Sequence, residues 1–238
     1  MAQESKFIRS LIENTRNGNR TAFEQLYKIH TASVYAISIR LLGSPKLAEE
    51  NTTKVFVEVW KSRKVVRRDS PFILWLTAIT VFFALEKLRN NTEKEEKKTP
   101  LINGVRYSPL DVKIFALPDM ERAVFVLNAI QHYEINEIVD LLSKPKGEVE
   151  NLLSSARKIL FSELLLNSPT ALEEEINRLP ESIEPNKDLF VPVTSTMERA
   201  LEEPNSTELV KSFDEKSQGR QSGEKKKSFS LRDLFKKK

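Results

Sequence analysis

Five basic side chains lie within eight residues of the chain, between Lys61 and Arg68. Such a density of positive charge suits the phosphates of a nucleic acid, and the nearby rings of Trp60 and Trp75 could stack on unpaired bases. The alternative is a solubilising loop beside two tryptophans of a hydrophobic core. We favour phosphate contact for the charges and a core position for both tryptophans. The basic residues are Lys61, Arg63, Lys64, Arg67 and Arg68.

A second basic group accompanies a helix-turn-helix pattern. A first helix is predicted over 134–142 and a second over 146–164, with Pro145 in the turn between them. The second helix of such a unit enters the major groove, where its N-terminal residues reach base edges. A solvated helix face is the alternative interpretation of the charges. The candidate phosphate contacts are Lys144, Lys146, Arg157 and Lys158.

The composition excludes several kinds of catalytic and metal site. The chain has no Cys, two His and six Gly, so it offers no thiolate nucleophile, Cys-ligated zinc site or three-histidine metal site. Acidic groups such as Glu173-Glu174-Glu175 lack the neighbours that acid–base catalysis requires. His30 and His132 are far apart and are predicted to lie on helix surfaces. We therefore expect no enzyme activity, no metal and no cofactor.

Charge is segregated along the 238 residues, although the formal net charge is only +4. Residues 1–91 carry 15 basic and 8 acidic side chains, and residues 220–238 carry 8 and 2. Residues 168–219 are acidic, with 5 basic and 12 acidic side chains. A basic first third favours a polyanion or an acidic protein surface as partner.

The N-terminal residues and the apolar runs predict a cytoplasmic protein. Met1–Ile12 is charged and lacks the apolar core of a signal peptide. The longest nearly apolar run, Phe72–Leu85, has 14 residues, whereas about 20 are needed to cross a bilayer. We expect this run to form a buried helix.

Hydrophobic periodicity predicts an all-α fold with two small helical domains. The first domain, 1–90, contains predicted helices at 21–42, 45–62 and 71–89, with Ser44 and Pro45 as the start signal of the second of these. A charged linker, 91–113, leads to a helix-turn-helix domain, 114–166. Residues 167–238 are predicted to be a mostly disordered charged tail with short helices near 170–179 and 195–203.

Two ordered sets of residues resemble conserved regions two and four of bacterial sigma factors of the extracytoplasmic-function class. The resemblance spans about residues 20–162, with both halves in the family's order and spacing. The first set is Ala22-Phe23-Glu24-Gln25-Leu26-Tyr27, Arg40-Leu41-Leu42-Gly43, Ala48-Glu49-Glu50, Val55-Phe56, Val59-Trp60, Asp69-Ser70, Phe72, Trp75-Leu76 and Leu88-Arg89. The second set is Leu117-Pro118, Arg122, Val124-Phe125-Val126-Leu127, Glu137-Ile138, Gly147, Val149, Leu153 and Ala156-Arg157-Lys158.

The resemblance implies a transcription initiation factor that binds RNA polymerase core and contacts promoter DNA, with an anti-sigma protein as a further partner. In this family the first domain reads the −10 element and the second reads the −35 element. The DNA-binding candidates are Arg63, Lys64, Arg67, Arg68, Lys87, Arg89, Lys144, Lys146, Asn151, Arg157 and Lys158. The polymerase-binding candidates are Glu49, Glu50, Thr53, Lys54 and Glu58.

Departures from the family pattern keep a second hypothesis open. Residues 114–166 hold 5 basic and 8 acidic side chains, so the recognition domain is acidic where phosphate contact needs positive charge. The helix after Pro71 is apolar nearly all round, which predicts that another chain segment or a partner covers it. A covered helix cannot read bases. The alternative function is therefore a sigma-derived protein–protein adaptor that has lost promoter reading.

The tail carries two further expectations. Residues 179–190 weakly resemble a short segment of some anti-sigma proteins. Residues 225–238 place four apolar side chains among lysines, a pattern that suits weak contact with an anionic membrane surface or with nucleic acid. The alternative is that this end folds back on the acidic stretch 168–219.

Overall fold

The computed structural model describes residues 6–65, 71–90, 101–102, 105–166, 168–185 and 195. Nine α-helices, a 3-10 helix (Arg63–Val65), a π-helical segment (Val126–Ile130) and one short strand pair occur in these ranges. The first helices are α1 (Lys6–Arg16), α2 (Arg20–Leu42), α3 (Pro45–Lys61) and α4 (Phe72–Asn90). The strands are β1 (Leu101–Ile102) and β2 (Val105–Arg106). The remaining helices are α5 (Pro109–Ala116), α6 (Asp119–Phe125), α7 (Ile135–Leu142), α8 (Lys146–Glu163) and α9 (Pro169–Asn177).

The predicted all-α fold is confirmed, and the only strands in the described ranges are the two-residue β1 and β2. They pair antiparallel, with Leu101 opposite Arg106 and Ile102 opposite Val105. The predicted helices at 21–42, 45–62 and 71–89 correspond to α2, α3 and α4. The predicted helix-turn-helix corresponds to α7 and α8, and the predicted helix at 170–179 to α9. Of the predicted helix at 195–203, only Ser195 lies within the described residues.

Local signals explain where the helices begin. The Ser44 side chain accepts a hydrogen bond from the backbone N–H of Leu47, with Pro45 in the first turn of α3. α5 begins at Pro109, inside the segment assigned to the linker by sequence. There Ser108 and Asp111 form a reciprocal capping box, which satisfies backbone donors at both positions.

The first module, residues 6–90, is a helical bundle around an aromatic core. The ring of Phe23 meets Trp60 edge-on with centroids 5.1 Å apart, and Tyr27 meets Phe56 in the same manner at 4.7 Å. Trp60 and Trp75 are both buried, so the prediction that they belong to the core is confirmed. Aromatic pairs in such geometry add stability beyond the area they bury.

The second module, residues 107–166, packs directly against the first. Ile37 and Leu41 of α2, together with Ala78 and Val81 of α4, belong to the same buried cluster as residues of α5 to α8. We call this cluster the shared core. Its members from the second module include Leu110, Ile114, Val124, Leu127, Ile138 and Val149. The two modules therefore pack together as one body.

Residues 168–183 follow the helix-turn-helix and continue the packing. Leu172 and Ile176 of α9 are buried in the shared core. Ile183 packs beside Tyr35 and Ile39 of α2. We call residues 168–183 the strap. No helix in the described part of the chain is both long and apolar enough to span a membrane.

Candidate nucleic-acid and polymerase interface

The polymerase-binding candidates lie along one side of α3, next to the C-terminal half of α4. Glu50 and Lys54 are exposed, whereas Glu49, Thr53 and Glu58 are half-buried. The Lys54 ammonium is 2.9 Å from the Glu86 carboxylate and lies 4.1 Å from the centroid of the Phe83 ring.

Lys87, predicted from sequence to contact DNA, forms an ion pair with Glu50 on this same surface. Arg89 is exposed at the end of α4. The structure thus brings α3 candidates and an α4 candidate together as a row of paired charges. Exposed pairs of this kind contribute little to stability, so they can exchange partners readily.

The basic stretch after α3 is described as far as residue 65. Arg63 packs its guanidinium over the Trp60 ring, 4.5 Å from the centroid, and donates a 2.9 Å hydrogen bond to the Trp60 carbonyl. Partial burial lowers the pKa of Arg63. Lys61 and Lys64 are exposed and accessible to a phosphate. Arg67 and Arg68 lie outside the described residues.

The helix-turn-helix has the predicted geometry. α7 ends at Leu142, Ser143 takes a left-handed conformation with φ of 53°, and α8 begins after Pro145. Val149, Ala156 and Leu160 bury one face of α8. Asn151 and Lys158 are exposed on that helix, which is the arrangement of a helix able to enter a groove.

Acidic neighbours pair with most of the helix-turn-helix cations. Lys144 pairs with Glu148, and the Lys146 ammonium is 3.8 Å from Glu150. Arg157 pairs with Glu173 of the strap. Lys158 is exposed and has no ion-pair partner among the described residues. The positive charge available to phosphates on α8 is therefore small in this arrangement.

The second module covers one face of α4, for which the sequence predicted cover either by another chain segment or by a partner. Ala78, Val81 and Ala84 are fully buried in the shared core. The hydroxyl groups of Thr77 on α4 and Tyr133 before α7 share a 2.8 Å hydrogen bond. Burial raises the pKa of Tyr133, and the bond to Thr77 opposes that shift. In this arrangement the covered face of α4 cannot meet a base.

A buried charge at the junction of the modules was not predicted from sequence as a site. Arg40 of α2 is only 1% exposed; its Nε lies 3.4 Å from the Asp111 carboxylate of α5, and one terminal nitrogen donates to the Pro180 carbonyl at 2.7 Å. Burial lowers the pKa of Arg40, and Asp111 opposes that change. The guanidinium thus joins the first module, the second module and the strap.

One prediction about the histidines is wrong. His30 was expected on a helix surface, but its Nε2 is buried without a hydrogen-bond partner, and its ring lies 5.4 Å from that of Phe72. Because the first residues of α4 pack over this side of α2, burial lowers the pKa of His30 to about 4. His132 is exposed, as predicted, and faces Glu181 at 3.4 Å.

Within the described ranges, no group of three or more His, Asp or Glu side chains is placed to hold a metal ion.

Comparisons with known proteins agree with this fold. No family model matches the chain. It is 23% identical over 180 residues to the ECF RNA polymerase sigma factor SigW of Bacillus subtilis (strain 168), covering 66% of this chain and 96% of that protein. It is 28% identical over 140 residues to the RNA polymerase sigma factor CarQ of Myxococcus xanthus, covering 53% of this chain and 80% of CarQ.

Two solved complexes contain chains of similar fold. One is CnrH in complex with the cytosolic domain of CnrY, with a TM-score of 0.52 and 24% identity over 68% of this chain and all of that chain. The other is the sigma factor RpoE in complex with the anti-sigma factor NepR from Bartonella quintana, with a TM-score of 0.53 and 15% identity over 61% of this chain and 98% of that chain. The chain is thus similar in sequence to two bacterial RNA polymerase sigma factors and similar in fold to two further chains of known structure.

Proposed function

We propose that the protein is a sigma-like transcription initiation factor that binds RNA polymerase core and contacts promoter DNA. The observation that carries the proposal is the likeness to SigW, which extends over 96% of that factor. The order of modules supports it: an α2–α4 bundle precedes a helix-turn-helix at α7 and α8. We place its action in the cytoplasm, where polymerase is found.

The proposed polymerase surface is the exposed side of α3. Glu50 and Lys54 are its most accessible members, and Glu49, Thr53 and Glu58 flank them. Because each of the two accessible residues is ion-paired to α4, polymerase must offer replacement charges. An anti-sigma protein is a further proposed partner, since the structural relatives include a sigma factor bound to one.

The proposed DNA contacts fall into two groups. The first comprises Arg63 and Lys64 after α3, Lys87 and Arg89 at the end of α4, and Arg67 and Arg68, which belong to the same basic stretch of sequence but lie outside the described residues. The second comprises Asn151 and Lys158 on α8, with Lys144, Lys146 and Arg157 reaching phosphates once they leave their acidic partners. Removing any one cation that touches a phosphate should weaken binding on all sequences and reduce its dependence on salt.

An adaptor without promoter reading is the second candidate. Two observations favour it: the covered face of α4 and the acidic partners of Lys144, Lys146 and Arg157. The first feature makes one face of α4 inaccessible to bases, and the second neutralises cations, at places where the family contacts DNA. The two candidates share polymerase binding and differ in selective DNA contact.

Reconstitution with core polymerase separates them. Promoter-selective open-complex formation is measured for the parent chain, for Arg67→Glu/Arg68→Glu and for Lys158→Glu, with Lys28→Glu on an exposed part of α2 as the charge-matched control. An initiation factor requires selective opening that the first two variants weaken and the control does not. Polymerase binding without selective opening would refute the initiation factor and favour the adaptor.

Weak membrane contact through residues 225–238 stays a prediction from sequence, because these residues lie outside the described part of the chain. Flotation with anionic liposomes of the full chain and of a chain ending at residue 224 tests it. Equal flotation would remove the idea.

A further inference from the structure

The strap holds both modules at once. Its first part, α9, buries Leu172 and Ile176 in the shared core, where α9 contacts α8 and the π-helical segment Val126–Ile130 after α6. Its second part crosses to the first module, where the backbone N–H of Ile183 donates to the carbonyl of Ala32 at 3.2 Å. A chain segment anchored on two bodies restrains their separation, because opening must break one set of anchors.

Successive residues at the end of the strap contact the first and the second module in turn. The Pro180 carbonyl accepts from Arg40 of the first module at 2.7 Å. The Glu181 carbonyl accepts from the side-chain amide of Gln131 in the second module at 2.7 Å. Ile183 then returns to α2. Alternation of this kind ties the two surfaces together, as a single helix packed on one module would not.

The charge of the strap is opposite to that of the groups it meets. Residues 168–183 contain four acidic side chains and one basic side chain. Glu173 pairs with Arg157, a proposed phosphate contact of α8. The strap therefore neutralises a cation of the recognition helix while its other end binds Arg40.

We infer that the strap is an autoinhibitory element, which holds the two modules in the closed arrangement and must release them before the protein can engage polymerase and DNA. The inhibitory role rests on the proposed function. The closed arrangement buries the apolar face of α4 under the second module, where polymerase cannot reach it, and pairs Arg157 with Glu173. A protein-binding surface and a phosphate contact are therefore both occupied by the chain itself. Residues beyond the region that resembles the sigma family thus act on the residues within it.

The test disrupts the strap in the full chain. Leu172→Gln/Ile176→Gln removes the buried face of α9, and Thr170→Gln/Asn177→Gln changes two exposed positions of the same helix as the matched control. Ile183→Ala is a second variant that weakens the other anchor. Circular dichroism and thermal melting establish that each variant is folded.

Module separation is read by distance measurement between two labels. The chain has no native Cys, so Lys28→Cys and Ser162→Cys, both exposed, take spin or fluorescent labels specifically. We expect one short distance in the parent and control, and a second, longer population in both strap variants. Removing two buried aliphatic side chains from a docked helix should raise the opening constant by at least about tenfold.

Core polymerase binding and DNA binding are measured on the same proteins. We expect the strap variants to bind polymerase at least about tenfold more tightly than the parent and control, in proportion to the open population. If the label-to-label distances are unchanged in folded strap variants, the proposal that the strap holds the modules closed is refuted. If the label-to-label distances increase but the affinity for polymerase does not, in a chain that does bind polymerase, the inhibitory role of the strap is refuted. Absence of polymerase binding in every form would refute the proposed function and the inhibitory role with it, while the distances still decide whether the strap closes the modules.

Discussion

The buried pair between Arg40 and Asp111 predicts an asymmetric response to substitution. Asp111→Asn leaves the guanidinium buried, 1% exposed, with one terminal nitrogen already without a partner. Removing one member of a buried ion pair costs about 3–5 kcal/mol. We expect about 3 kcal/mol here, because the Pro180 carbonyl still accepts from the same guanidinium at 2.7 Å.

Arg40→Met should lower the free energy of unfolding by less, about 2 kcal/mol, because the Asp111 carboxylate keeps its other hydrogen-bond partners when the guanidinium is removed. Asp111 still accepts from the Ser108 hydroxyl at 2.9 Å and from its backbone N–H at 3.3 Å. Its side chain also retains 11% exposure to water. Methionine fills much of the volume that the arginine stem leaves.

Urea unfolding of the two single variants and the double variant Arg40→Met/Asp111→Asn measures these costs. A destabilisation of about 3 kcal/mol corresponds to a midpoint shift of about 1 M for an m-value near 3 kcal/mol/M. The double variant should be no less stable than Asp111→Asn alone, since no buried charge remains. Ser108→Ala, expected to cost about 1 kcal/mol, isolates the helix cap that Asp111 shares.

Additive costs in this cycle, or a smaller cost for Asp111→Asn than for Arg40→Met, would refute the reasoning. Either outcome would mean that the guanidinium is solvated or compensated elsewhere. The pair could not then be what joins α2 to α5.

Three further predictions concern the histidines, the module interface and the end of α2. The pKa of His30 is about 4 in the folded protein, below its ordinary 6.5. The free energy of unfolding should therefore fall by about 3 kcal/mol in total as the pH drops from about 6.5 through 4, as measured by urea titrations at a series of pH values. His30→Leu should reduce this dependence of stability on pH and His132→Asn should not; an unchanged dependence in His30→Leu would contradict the burial of His30. Tyr133→Phe should cost about 1–2 kcal/mol in the same assay, because the 1% exposed Thr77 is left without its partner across the modules; a neutral result would mean that the bond does not form. Gly43→Ala should lower stability by about 1 kcal/mol because φ is +67°, a left-handed conformation that strains a residue with a Cβ. The nearest Phe115 side-chain atom, 3.5 Å from the added carbon, lies at an ordinary contact distance and adds no clash. A stabilised variant would contradict the left-handed geometry.

The longer helices of the first module were predictable because each has its own local evidence. α2, α3 and α4 follow from apolar periodicity and from the stop and start signals around Gly43 and Pro45. The start of α5 carried a signal as well, since Ser108, Pro109 and Asp111 stand at the positions of a capping box. Because that short helix lies next to a charged stretch, its first residues were assigned to the linker 91–113.

The pairing of charges was predictable only where partners are close in sequence. The spacing of Lys144 with Glu148 and of Lys146 with Glu150 is that of neighbours on one helix face, which the sequence displays. Arg157 and Glu173 meet across the turn from α8 to α9, and Arg40 and Asp111 are 71 residues apart. No local sequence pattern specifies contacts such as these two, between residues that are distant in sequence.

The apolar face of α4 is explained by the closed arrangement, in which the second module covers it. Polar or charged side chains on this face of α4 would be buried without partners under the second module, which is costly. Ala78, Val81 and Ala84 instead make that face compatible with burial. Opening then exposes apolar surface, so the closed state is favoured in the isolated chain.

A partner can open the modules only through its difference in affinity for the two states. A ligand with equal affinity for both would shift nothing, whereas a shift from 1:99 to 99:1 needs about 5.5 kcal/mol of preference. Contacts with the exposed Glu50 and Lys54 of α3 are available in the closed state and supply little of that difference. The preference must come from surfaces that closure hides, foremost the face of α4. Polymerase binding and module opening should therefore be coupled through α4, and charge substitutions on α3 should change affinity without changing the open fraction.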